Sequence, residues 1–173
     1  HLDIDALLDK KPCAVAYRKK IEDAGLTISA LSCHANPLHP DPAAAKDADD
    51  LFRKTVRLAQ QLDVPVVVTF SGCPGDSENA RHPNWVTTPW PPEFLDILEW
   101  QWEKKAIPYW SRTAQFAADH GVKVAREAHP GFIVYNVDSA LRLRPAAAPH
   151  PGTPSAPPHS CGHGVARPAR PPP

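Results

Sequence analysis

The sequence has no methionine, only 8 glycines against 22 prolines, and no net charge, since its 19 basic and 19 acidic residues cancel over 173 positions. Zero net charge argues against a nucleic-acid or membrane-surface protein that relies on a basic footprint. No run approaches the roughly 18 apolar residues of a membrane span. The opening residues His1-Leu2-Asp3-Ile4-Asp5 carry neither an initiator methionine nor a signal-peptide pattern, so the chain reads as an internal piece of a longer, cytoplasmic protein. Its four cysteines (Cys13, Cys33, Cys73, Cys161) show no C-x-x-C pair and no zinc-type spacing, which leaves them as buried or incidental thiols. A P-loop, a G-x-G-x-x-G after a strand and a G-x-S-x-G are also missing, so nucleotide cofactors and serine hydrolysis lose support.

What is present divides unevenly. Ten of the 22 prolines fall in Pro145–Pro173, a stretch without Asp, Glu, Lys, Leu, Ile or any Phe, Tyr or Trp. Such a segment cannot bury enough apolar surface to offset its ordering entropy, so it is expected to be disordered. Removing its two arginines leaves residues 1–144 with 17 basic and 19 acidic residues, a net charge of −2. The expected organisation is one folded unit over 1–144 and a Pro/Ala-rich tail over 145–173.

Within 1–144, apolar periodicity predicts a helix over 4–24, broken near Pro12 and ended by Gly25. Leu26–Ser32 reads as a buried strand. A helix follows over 43–62 with Leu51, Thr55, Leu58 and Leu62 on one stripe. Pro65–Phe70 is a continuous hydrophobic run of the kind found in parallel sheets. After a long loop, a helical pattern runs from Pro91 to His120, with a kink or break expected before Pro108. Val122–Glu127 is a third strand and 138–144 a short helix. Strand and helix alternate, which implies parallel strands joined by crossovers. Three strands cannot close a barrel, so the choice lies between a small open sheet and an arc of a (β/α)₈ barrel.

Ligands in such folds bind at the carboxyl ends of strands. All three strands end there in polar clusters: Ser32-Cys33-His34-Ala35-Asn36, Ser71-Gly72-Cys73 and Glu127-Ala128-His129. Glu127 and His129, two residues apart, point the same way if the extended conformation persists, and together suit a divalent metal or an acid/base pair. Spacing alone leaves open an exposed strand-end glutamate beside a loop histidine. His34 and His39 flank a tight turn where they either bond a polyhydroxylated ligand or hold the turn itself. Five tryptophans (Trp85, Trp90, Trp100, Trp102, Trp110) lie within 26 residues. Trp85 and Trp90 either wall a substrate site or simply pack, and Trp100 and Trp102 cannot share one helical face.

These residues carry a family resemblance. Ile28–Pro40, Val68–Gly75, Pro83–Thr87, Pro89–Leu95, Leu98–Trp102, Ile107–Trp110 and Glu127–Phe132 resemble, in order, segments of bacterial sugar phosphate isomerase/epimerase proteins. These are xylose isomerase-like TIM barrels, grouped with AP endonuclease family 2. The resemblance implies an α/β fold, a partial (β/α)₈ TIM barrel covering about strands three to five, followed by the disordered tail. It implies a divalent metal (Mn, Mg, Co or Zn), weakly held in this chain, and a small-molecule sugar substrate whose carbonyl and hydroxyl oxygens the metal polarises. Glu127 matches the fifth-strand glutamate that serves as metal ligand and catalytic acid/base, and His129 the histidine beside it. His34 and His39 match polar residues near the substrate, and Trp85 stays the candidate apolar wall beside them.

The chain departs from the family pattern at Arg126, at Ala35, and in lacking strands one, two and six to eight with the other metal ligands. Its tail has the composition of GC-rich coding sequence read out of frame. A metal-dependent isomerase or epimerase fragment, inactive alone, is the expectation. The alternatives are an AP endonuclease-like protein and a non-catalytic interaction fragment whose Pro-rich tail docks a groove. No nucleic-acid or membrane partner is expected. An open arc leaves two sheet edges uncovered, which predicts aggregation or a homo-oligomer.

Overall fold

The computed structural model describes residues 3–145, so the tail beyond Pro145, with Cys161, lies outside the described residues. Two helices open the chain, α1 (Ile4–Leu8) and α2 (Lys11–Asp23). The break falls at Asp9–Lys10, and Pro12 sits in the first turn of α2, where a missing N–H costs nothing. Next come β1 (Leu31–Cys33), α3 (Pro42–Gln61) and β2 (Val66–Thr69). A long helical rod follows, made of α4 (Glu93–Trp100), a π-helical turn (Gln101–Ala106) and α5 (Ile107–Asp119). The strand β3 (Lys123–Arg126) and helix α6 (Val137–Leu143) end the described chain.

The three strands form one parallel sheet in the order β1-β2-β3, with no reversal. Consecutive strands lie side by side in this way around a (β/α)₈ barrel. Leu31, Val67 and Val124 share one row of the register, and Cys33, Thr69 and Arg126 the next. The side chains of these rows are buried or half-buried, and α3 and α5 pack on the sheet. The opposite face carries Ser32, Lys123 and Ala125 exposed and Val66 and Val68 half-buried. This open face corresponds to the inside of a barrel.

One element departs from the sequence expectation and another refines it. The first strand pairs only over Leu31–Cys33, not from Leu26. Pro65, which the register sets opposite Ser29, turns its C=O to Lys123 N–H of β3 at 2.9 Å, and β1 pairs with β2 only from Leu31 on. The kink or break expected before Pro108 takes the form of a π-helical turn within a continuous rod. The backbone widens by one residue per turn there, and Ile107 N–H bonds to Trp102 C=O, five residues back. That widening accommodates the proline without ending the helix. Trp102 is thereby buried, whereas Trp100 stays half-buried beneath the Lys105 ammonium, 4.9 Å from its ring centre.

The core lies between the sheet and the helices. The buried stripe of α3 is Ala48, Phe52, Thr55, Val56, Leu58 and Ala59, continued by Leu62. Leu51 is 39% exposed although it lies one turn before buried Thr55 on the expected stripe. Trp110 is fully buried, meets Phe52 and Tyr109 edge-on at 6.0 and 5.0 Å, and donates its indole N–H to Ser71 C=O at 2.8 Å. Replacing it removes both a large apolar volume and the only bond that this indole makes here. Trp110→Ala should therefore lower the unfolding free energy by about 3–5 kcal/mol in urea titrations. Trp90→Ala, at a position 74% exposed, should change it by less than about 0.5 kcal/mol.

Candidate active site

The carboxyl ends of the three strands converge on a single layer. One residue beyond the ladder stand His34, Phe70 and Glu127, following the paired row Cys33, Thr69 and Arg126. Glu127 N–H donates to Thr69 C=O at 3.0 Å, so the ladder effectively reaches this layer. Alternation along the strands puts all three side chains on the open face. His34 Nε2 lies 3.3 Å from Glu127 Oε2, across the middle strand. Their side chains keep 38% and 48% of their surface open, so the pair is screened by water yet within reach of a ligand.

An aromatic group surrounds this pair. The His34 ring lies flat on Phe70, centroids 4.2 Å apart and planes 20° apart. Phe132 stacks on Phe70 at 4.4 Å and 26°. His129 leans against Phe70 at 4.8 Å and against Phe132 at 5.7 Å, while its Nδ1 faces Pro130 C=O at 2.7 Å. Glu127 therefore makes its close contact with His34, on the far strand, and His129 joins the rings. Past Glu127 the extended conformation gives way to a turn, closed by Phe132 N–H on His129 C=O.

His39 and Trp85 are engaged elsewhere. His39 Nδ1 accepts the Asp41 N–H at 3.0 Å, just ahead of α3, whose N-cap is Asp41 itself. Trp85 is 40% exposed and meets Tyr135 edge-on at 5.4 Å.

Beneath the layer the loops are locked to one another. The Asn36 amide donates to Cys73 C=O at 3.0 Å and accepts Cys73 N–H at 2.9 Å and Leu38 N–H at 3.1 Å. Buried Ser71 accepts Val134 N–H on its hydroxyl at 2.9 Å, and Gly72 C=O accepts Ile133 N–H at 2.9 Å. Gly72 has φ +85°, and a Cβ there would come within 2.8 Å of Leu38 Cγ, so only glycine fits. Buried Gln101, on the π-helical turn, donates to Gly75 C=O and Asn84 C=O at 2.9 and 2.7 Å, pinning both ends of the intervening loop.

Phe70 and Phe132 escaped the sequence reading of functional positions, and Asn36 stood there only as a member of the polar cluster after the first strand. Phe70 looked like the last residue of a hydrophobic strand. Its place one step beyond the ladder, level with His34 and Glu127, was the available signal.

The donor set bears on the metal. Among the described residues, no three His, Cys, Asp or Glu side chains gather into a metal-holding group. Glu127 and His34 offer one oxygen and one nitrogen, against the roughly six ligands that magnesium or manganese takes. By themselves the described residues do not fit a resident divalent ion, and their chemistry is that of a proton-sharing carboxylate and imidazole. Titration calorimetry of the chain with manganese should show no stoichiometric inflection. A sharp one-to-one transition would mean that further ligands join Glu127.

Desolvation also acts on the thiols of this region. Burial raises Cys33 and pushes Cys73 up to about 11, while Cys13 is exposed. The fold holds Cys73 protonated where an unfolded thiol would ionise. Its contribution to stability is whole below pH 9.0 and is lost as pH rises toward about 11. Iodoacetamide at about pH 8.5 should therefore alkylate Cys13 in the folded protein and spare Cys33 and Cys73, as peptide mass mapping would show.

The sequence can be set beside known proteins. It is 38% identical over 155 residues to the uncharacterized protein YfiH of Bacillus subtilis (strain 168), an alignment covering 88% of this chain and 49% of that protein. The chain thus spans about half the length of the relative it matches. The family described as xylose isomerase-like TIM barrel matches residues 4–151. With three parallel strands in unbroken order and a family match over most of its length, the chain belongs to the xylose isomerase-like TIM barrel family.

Proposed function

We propose that the chain carries the strand-three to strand-five part of the active site of a sugar or sugar phosphate isomerase/epimerase. The family includes sugar isomerases and epimerases as well as AP endonuclease-like proteins, and its members commonly bind divalent metals. The observation that supports the sugar reading is the approach of His34 Nε2 to Glu127 Oε2 at 3.3 Å, at the carboxyl ends of parallel strands.

Interconverting neighbouring carbonyl and hydroxyl carbons requires a group that takes a proton from one and returns it to the other. Glu127 is the acid/base in this reading. His34, able to donate at Nε2 and to accept in its other tautomer, hydrogen-bonds a sugar oxygen and holds the carboxylate in place. His129 borders the same opening, while His39, bonded ahead of α3, and Trp85, packed on Tyr135, take no part in this reading. A bound divalent ion would polarise the sugar oxygens, with Glu127 among its ligands, but it needs donors that the described residues do not supply. The chain spans about half of its relative, so it is expected to bind sugar without turning it over.

Saturation-transfer NMR against a panel of ketoses, aldoses and their phosphates tests this. Sugar signals should appear with the wild-type chain and fall several-fold in Glu127→Gln and His34→Ala. No deuterium should enter the sugar from D₂O. The absence of any Glu127-dependent sugar signal would overturn the reading. So would salt-dependent binding of an abasic-site duplex in place of sugar.

A further inference from the structure

We infer that Phe70 is a positioning residue, a ring clamped between His34 and Phe132 that sets the plane of the His34 imidazole and thereby its approach to Glu127. The inference rests on the reading of His34 and Glu127 as the substrate-facing pair.

Phe70 does not behave as a core residue. It is half-buried on the open face and belongs neither to the buried hydrophobic cluster nor to the partly buried residues packed against it. Its ring contacts are His34, His129 and Phe132, all at the mouth of the sheet. His34 and Phe132 both lie within 26° of parallel to Phe70, with centroids 4.2 and 4.4 Å away. Two rings cannot share one face of a six-membered ring at that spacing, so they occupy opposite faces. Their origins agree, since His34 follows β1 and Phe132 follows β3, on either side of β2.

The middle ring is itself held firmly. Thr69 C=O accepts Glu127 N–H at 3.0 Å just before Phe70, and Ser71 C=O accepts the Trp110 indole at 2.8 Å just after it. A side chain between two anchored carbonyls makes a fixed platform. The His34–Glu127 contact, screened at the surface, is too weak to choose one imidazole rotamer. Stacking over a fixed ring restricts both side-chain torsions of the histidine at once. Phe70 therefore fixes the direction in which Nε2 points, and Glu127 lies in that direction.

The test reads the imidazole directly by proton–carbon NMR, with the His34 resonances assigned by their loss in His34→Gln. In the wild-type chain they should be displaced upfield by the Phe70 ring current. Phe70→Leu should return them to free-imidazole positions with the amide spectrum otherwise retained, and Phe70→Tyr should keep the displacement. Phe132→Leu should keep it too, since only the far face of Phe70 is stripped. His34 resonances at free positions in the wild type, or unmoved in a folded Phe70→Leu protein, would overturn the inference. Should Phe70→Leu fail to fold, the wild-type, Phe70→Tyr and Phe132→Leu spectra still decide it. None of these readings needs a sugar, so failure of the sugar assignment leaves them standing. Where sugar binds, Phe70→Leu should weaken it several-fold and Phe70→Tyr restore it, and unchanged binding in Phe70→Leu would count against positioning.

Discussion

Ser71 is a buried polar residue at the point where the middle strand leaves the sheet, and its bonds join the elements that build the mouth. Its carbonyl takes the indole N–H of Trp110 and its hydroxyl takes the N–H of Val134. A polar group out of reach of water must find partners, because leaving it unpaired costs about 1–3 kcal/mol. Satisfying Ser71 therefore constrains three parts of the chain together: the end of β2, the rod helix α5, and the loop after β3. Phe70 stands between this anchor and the Glu127–Thr69 bond, so the aromatic layer inherits the rigidity of the hydrogen bonds around it.

A second lock works in the same way on the other side. The Asn36 amide both gives to and takes from the backbone of Cys73, binding the loop after β1 to the loop after β2. The two locks bring the three strand ends into register beyond the ladder itself. Each pairwise contact at the mouth, such as His34 on Phe70, is weak and exposed. Their geometry is definite because the loops beneath them are buried and hydrogen-bonded. A family that places its chemistry on strand ends needs such support, since loops alone would let a carboxylate and an imidazole drift apart.

Much of the architecture was legible in the residues. Pro65–Phe70, continuously apolar, signalled a parallel-sheet strand buried on both faces, whereas Val66 and Val68 are half-buried on the open one, and the polar ends of all three strands marked the working side. Glu127 and His34 were both visible as chemistry-bearing residues at those ends. Their pairing was not, because Glu127 has a nearer histidine in sequence, His129, and only the turn after Glu127 sends that ring toward Phe70 instead. The role of Phe70 was hidden for a related reason: a phenylalanine at the end of a hydrophobic run reads as core until the sheet shows which face it occupies.

The residues alone carried the parallel alternation of strand and helix and the placement of histidine and glutamate at strand termini. These follow from periodicity, turn residues and composition, which are local properties. Tertiary structure decided which strand ends meet. Register pairs β1 with β2 only over Leu31–Cys33, the π-helical turn carries the rod through Pro108, and the open sheet face gathers His34, Phe70 and Glu127 in one layer. Residues 36 and 93 positions apart in the chain become neighbours of His34 only when hydrogen-bond registers and buried polar groups are satisfied together. No local pattern encodes that joint condition.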